Sequence, residues 1–305
     1  MDRADLKRYA WISIAAAICT IALKAGAYVL TGSVGLLSDA MESIVNLLAA
    51  IVALVALSVA ARPADEDHTY GHYKAEYFSS GFEGALIVVA AVSIGFAAVM
   101  RLMNPQPLTD IGIGTAVAGL ATVINLAVAR LLARVGYDQG SITLEAGAQH
   151  LMSDVITSAG AIVGVFAVSL TGLTWIDPIV GLLIAGHILW AGLGLVRRSM
   201  LGLMDTALPE SAQRIVRDIL KAHEQGGVQF HALRSRQAGA RQFVSFHVLV
   251  PGSWTVQQGH NLLEEIEEQI HAALPASTIF THLEPIEDPV SFEDTQLERR
   301  RWPRL

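Results

Sequence analysis

The sequence predicts an α-helical membrane protein, a six-transmembrane-helix bundle followed by a small C-terminal α+β domain. Three observations predict it. Of 305 residues, 52% are hydrophobic and only 16% are charged, against roughly 25% charged in an average soluble domain. The mean hydropathy is +0.46. The charge is also segregated: Asp205 to Leu305 holds 14 acidic and 10 basic residues, about half of all the charge in a third of the chain. The shift divides the chain into a membrane domain over 1–204, a soluble domain over 205–288, and a polar, Arg-rich tail over 289–305 that reads as disordered. A net charge of −7 offers no basic face for nucleic acid. The single cysteine, Cys19, excludes a disulfide framework and a Cys-rich zinc fold.

A spanning helix needs about 20 mostly apolar residues. Six segments qualify: Ala10–Leu30, Val34–Ala60, Tyr77–Leu102, Ile111–Ala133, Leu144–Leu170 and Trp175–Val196. The first is too long for a signal-peptide core and is followed at once by another span. Lys and Arg gather on one side. Arg3, Lys7 and Arg8 precede the first span, Arg62 and Lys74 join the second to the third, Arg130 and Arg134 lie toward the fifth, and Arg197 and Arg198 follow the sixth. The other connections offer only Arg101. Positive charge stays inside, so both termini are expected in the cytoplasm.

The soluble part alternates in period. Pro209–Glu224 is an amphipathic helix. Val228–Arg236 and Gln242–Val250 read as strands around the turn Ala238-Gly239-Ala240. Thr255–Ala273 carries Leu262, Leu263, Ile266 and Ile270 on one side, and Ser277–Pro285 is a third strand. The order α-β-β-α-β is that of an open-faced, ferredoxin-like sandwich.

Ionisable residues inside spans cost several kcal/mol and mark function. The second span contains Asp39, Glu42 and Asn46; the fifth contains His150 and Asp154. Glu42 and Asn46 are four apart, as are His150 and Asp154, so each pair shares one helix face. Carboxylate, imidazole and amide oxygen are ligands for a divalent first-row metal, and two such pairs can converge into one four-ligand site. The alternative is polar glue between helices with no metal. The connection Pro63–Glu76 places His68 and His72 after acidic residues, either a second metal site or a solvated acidic loop. The soluble domain holds six of the ten histidines, with His231 and His247 on the two paired strands and His282 two residues before Glu284.

These residues resemble the cation diffusion facilitators, bacterial efflux transporters for zinc, ferrous iron and related cations. The likeness runs from Ala10 to Asp288. It is carried by Gly32-Ser33, Leu36-Leu37-Ser38-Asp39-Ala40, Arg62-Pro63-Ala64-Asp65 through Glu76, Gln149-His150 through Ser153-Asp154, Asp177-Pro178, and Leu203-Met204-Asp205 with Leu208-Pro209. The resemblance implies a homodimer in the lipid bilayer and a transport site of Glu42, Asn46, His150 and Asp154, with Asp39 as an accessory. It further implies a loop site of Asp65, His68 and His72, and cytoplasmic sites drawn from His231, His247, His260, His282 and Glu284. Lys74 and Asp205 correspond to a salt bridge at the dimer's hinge.

The implied activity is metal/proton antiport, with divalent metal ions as substrate and regulatory ligand: Zn2+ first, then Fe2+ and Mn2+. The competing class is a membrane-anchored metal-binding sensor or assembly protein that moves no ions. One departure bears on the metal. The second-helix pair in the family is usually His or Asp followed by Asp; here it is Glu42 and Asn46. A longer acid and a neutral amide make a harder, less anionic site, which moves preference toward manganese or ferrous iron.

Overall fold

The apolar stretches fold as six long helices: α1 (Arg3–Thr31), α2 (Val34–Ala60), α3 (Ala75–Met103), α4 (Ile113–Gln139), α5 (Ile142–Thr171) and α6 (Ile176–Leu203). The computed structural model describes residues 3–31, 34–104, 113–173 and 175–292. Among them, Asp5–Val29, Ala75–Met103, Gly119–Gln139 and Pro178–Leu203 are long and apolar enough to cross a membrane, so four candidate spans stand against the six expected. The other two helices, α2 and α5, are those that carry the ionisable pairs. They are 27 and 30 residues long.

The helices outrun the apolar segments. α1 begins at Arg3, α4 continues to Gln139, and α6 continues to Leu203. A helix keeps its own backbone satisfied beyond the apolar zone, so it ends at a turn signal rather than at the last hydrophobic residue. Gly140 supplies that signal after α4 with φ 58, and Asp205 after α6 with φ 57.

The first compact unit spans Met1–Leu201. In it α1 packs on α2 and α4 on α5, and α5 also meets α2 and α3. Leu6, Ala10, Leu57, Leu132, Leu144 and Ala148 form a buried cluster shared by α1, α2, α4 and α5. Without a hydrophobic drive between helices in lipid, close approach depends on small residues. Gly84 of α3 is one: a Cβ there would lie 3.0 Å from the Val196 backbone nitrogen of α6.

One buried carboxylate sets the level of α3 against α5. Glu76, 0% exposed, lies in the first turn of α3. Its Oε2 accepts from Ser141 Oγ at 2.5 Å and from the Thr143 backbone N–H at 3.5 Å. Thr143 Oγ1 donates in return to the Glu76 carbonyl. The carboxylate thus sits beside the amino ends of two helices, where negative charge is favoured.

The second unit, Gly202–Leu305, contains α7 (Glu210–Ala222), β1 (Gln229–Ala238), β2 (Arg241–Val250), α8 (Val256–Ala273) and β3 (Ser277–Pro285). The sheet order is β1-β2-β3, with β1 antiparallel and β3 parallel to β2. Val244, Phe246, Val248 and Val250 of β2 face Val216 and Leu220 of α7 and Ile266 and Ile270 of α8. Strand alternation therefore turns His247 to the opposite face. Gly239 at φ 58 makes the tight β1–β2 turn, and Thr255 begins α8 with a capping box to Gln258.

The tail expectation needs correcting at its start. Pro289–Phe292 form a 3-10 turn, because Ser291 is buried, its hydroxyl donates to the Pro285 carbonyl, and Val290 N–H is caught by the Asp288 side chain. The residues from 293 lie outside the described residues.

Glu76→Ala leaves a buried hydroxyl and an N–H without their acceptor. It is expected to cost about 2–3 kcal/mol of stability, read as a lower melting midpoint of the detergent-solubilised full chain. An unchanged midpoint would show that the carboxylate does not anchor α3 to α5.

Candidate metal sites

Among the described residues, metal-ligand side chains cluster in three places, one in the bundle, one in a loop and one on the sheet. In the bundle, α2 presents Asn46 and α5 presents His150 and Asp154. Asn46 is 8% and His150 7% exposed. Asn46 Nδ2 donates to Asp154 Oδ2 at 2.5 Å, and His150 Nε2 lies 2.7 Å from Asn46 Oδ1. The first bond fixes the orientation of the amide, so its oxygen must face the imidazole. Nε2 of His150 is then the donor, an assignment made from the hydrogen-bond pattern. Lys24 of α1 adds a favourable charge interaction with Asp154. The side chains of Asp39 and Glu42 lie outside the described residues.

Between α2 and α3, Asp65 accepts the His68 backbone N–H at 2.7 Å. Its two oxygens lie 3.3 Å from His68 Nδ1 and 3.3 Å from His72 Nε2, and the two imidazole centroids are 4.4 Å apart. Gly71, with φ 83, closes the turn that brings His72 back to Asp65. The backbone N–H of His68 holds the Asp65 carboxyl below its ordinary 3.8, helped by the nearby imidazoles. Its negative charge is therefore complete at neutral pH and is lost only as pH falls through that lowered value. Nδ1 of His72 is buried without a hydrogen-bond partner among the described residues.

On the sheet, the strand register places His231 opposite His247, and His247 beside His282. Glu284 Oε2 lies 2.9 Å from His231 Nε2 and 3.2 Å from His247 Nδ1, while its Oε1 is 3.5 Å from His282 Nε2. The pairing of β1 shifts between His231 and Arg234, where Ala232 adopts φ 51. A bulge with a positive-φ alanine next to a functional side chain re-aims that side chain. His231 Nδ1 is buried without a partner among the described residues. In the loop and on the sheet, one donor atom from each of three residues lies within 4.8 Å of the others: Asp65, His68 and His72, and His231, His247 and Glu284. Imidazole and carboxylate at that spacing suit a divalent transition metal.

Residues 10–204 match the family described as the cation efflux transmembrane domain, and residues 208–286 match the cytoplasmic domain of cation efflux proteins. The chain belongs to the cation diffusion facilitator family. It is 52% identical to an uncharacterized transporter of Synechocystis, over 93% of this chain and 92% of the relative. It is 31% identical to the cation-efflux pump FieF of Shewanella oneidensis, over 93% and 94%. With FieF of Serratia proteamaculans the identity is 29%, over 92% and 93%. As a cation diffusion facilitator it is a cation efflux transporter, a helical membrane domain with a C-terminal α/β cytoplasmic domain.

Against this family background, most of the residues singled out in the sequence are neighbours in space. His260 is the correction. It lies on the exposed side of α8 with its Nδ1 3.8 Å from Glu264 one turn along, and it is not among the three residues whose donor atoms converge on the sheet. Asp205 Oδ1 accepts Arg236 Nη1 at 3.1 Å within its own unit.

Two buried acids escaped the sequence pattern, Glu76 and Glu83. Glu83 lies inside the third expected span, so the rule that marks Glu42 applies to it equally. The residues four away, Ser79 and Ile87, carry no ionisable or imidazole group, and a search for metal-ligand pairs passes over it.

Glu284 is shared by three imidazoles, so Glu284→Ala is expected to weaken divalent-metal binding at the sheet cluster by about tenfold or more. Zinc titration of the full-length protein should lose one class of site and keep the others. Retention of every class would free Glu284 from a metal role.

Proposed function

We propose that this protein exports divalent transition metals from the cytoplasm by metal/proton antiport, working as a homodimer in the inner membrane by alternating access. The observation that carries the reading is the buried chain from His150 through Asn46 to Asp154. Its middle member fixes a proton on His150 Nε2, the atom whose lone pair a metal would need. Metal and proton are therefore exclusive at that nitrogen. A cation entering from the cytoplasm would displace the second proton of the imidazolium, leaving the remaining one on Nδ1 and the Nε2 lone pair for the metal; it would turn the Asn46 oxygen toward itself and bind Asp154 and Glu42. Facing outward, protons would displace the cation, and the inward proton gradient would drive its export.

The reading of six spans follows from the length of the apolar segments, and that of two cytoplasmic termini from the Lys/Arg bias. Zinc is the first substrate to test, then ferrous iron and manganese. Imidazole favours zinc, while an amide oxygen and two carboxylates are also acceptable to the harder ions. Asp65, His68 and His72 would take a second ion. His231, His247, His282 and Glu284 would hold regulatory metal, which would favour whichever dimer arrangement binds it better. From the family likeness, Lys74 and Asp205 would serve at the dimer's hinge.

Flux into proteoliposomes with and without a pH gradient tests the reading. Each of His150→Ala and Asp154→Ala is expected to abolish proton-coupled flux while leaving a folded dimer. Normal flux through His150→Ala protein would sink the site.

Asn46→Asp probes the amide itself. It replaces an amide–carboxylate contact with two facing carboxylates, which repel each other and attract a cation placed between them. Zinc binding should tighten, and its pH dependence should steepen because one more exchangeable proton competes. Titrations at two pH values check this. Unchanged affinity with an unaltered slope would leave Asn46 as interhelical glue alone.

A further inference from the structure

Glu83 of α3 is 1% exposed, and its Oε2 has no hydrogen-bond partner among the described residues. It lines a cavity of about 20 Å³ together with Asn46 and His150, and with Ser13 of α1 and Thr143 of α5. That volume accommodates about one water molecule or one dehydrated ion. Gly147 of α5, one turn before His150, lines the same cavity, and a Cβ there would lie in ordinary contact with the carboxylate, 3.6 Å from Glu83 Oε2 and 4.0 Å from Oε1. Glu76, two turns away on α3, has its Oε2 held by a hydroxyl and an N–H. Glu83 has no such pair on Oε2. A buried carboxylate of that kind is expensive unless it serves an ion.

We infer that Glu83 is a further cation-binding residue of the transport pathway, supplying from α3 the negative charge that neutral Asn46 does not supply from α2. The inference rests on the transporter reading and extends it. Glu42, Asp154 and Glu83 together give three carboxylates, the number present when the second-helix pair is two acids. A divalent cation that reaches Asn46 and His150 through this cavity meets Glu83 at its wall. The hydroxyls of Ser13 and Thr143 offer neutral oxygens on the same route.

The test compares full-length wild type with Glu83→Gln, Glu83→Asp, Asn46→Asp/Glu83→Gln and His150→Ala. Two readouts are taken for zinc, ferrous iron and manganese: flux into proteoliposomes, and binding by titration in detergent. Glu83→Gln, which keeps size and removes charge, is expected to raise KM and Kd about tenfold or more. Glu83→Asp should recover part of the loss, and adding Asn46→Asp to Glu83→Gln should recover more by returning the carboxylate to the same cavity. Wild-type KM and Kd in Glu83→Gln would overturn the inference. So would a loss that neither Glu83→Asp nor the double variant repairs, since that marks a packing role. Flux that dies in His150→Ala but is normal in Glu83→Gln overturns this inference alone. Binding that weakens in Glu83→Gln in a wild type that moves no metal overturns the transporter reading and keeps the site.

Discussion

The amide of Asn46 is the contact on which the candidate transport site depends. Lipid offers no water to a polar group, so each one in the bundle must find its partner in protein. Asn46 meets that demand for two neighbours at once, giving its nitrogen to Asp154 and its oxygen to His150. Both neighbours sit on α5, so one side chain of α2 fixes the rotation and depth of α5. The rest of the bundle is consistent with that depth. Glu76 ties the start of α3 to the start of α5, and Gly147 and Glu83 then meet across one cavity, one turn before His150.

A different solution recurs outside the bundle. Asp65 stands between His68 and His72, and Glu284 stands among His231, His247 and His282. In each case a carboxylate satisfies imidazole nitrogens that would otherwise face one another. Where water is available, a charged acceptor is affordable and holds the histidines in metal-binding array. In the bundle a neutral amide takes the central position. It polarises the imidazole less and desolvates at lower cost, so the three clusters differ in how strongly each attracts a cation.

Much of this was legible in the sequence, for identifiable reasons. The helices and strands announced themselves by period, and the third strand, Ser277–Pro285, agrees to the residue. The i, i+4 spacing of His150 and Asp154 needs only a helix to become one face. Other features depend on contacts that no local pattern encodes. The bulge at Ala232 exists because β1 must turn His231 toward Glu284, and nothing in Phe-His-Ala-Leu signals it. Glu83 lacked a partner in sequence because its companions lie on three other helices. The 3-10 turn at Pro289–Phe292 rests on Ser291 reaching back to Pro285, six residues away.

The hydrogen-bond direction at Asn46 also bears on why a polar-glue reading and a metal reading of the same residues converge. Glue requires that every donor find an acceptor, and the chain from His150 to Asp154 does so with one proton on Nε2. A metal site requires that the same atoms release those donors together. On the proposed transport reading, a half-turn of the central amide would expose its oxygen to a cation, with the imidazole keeping one proton on Nδ1 and its Nε2 lone pair free. Polar residues that merely bridge helices have no need of a neighbouring cavity. Here the bridge opens onto one, with a buried carboxylate on its far wall. That combination, a hydrogen-bonded chain beside a buried acid with an unpartnered oxygen, is what the proposed ion-exchange site rests on.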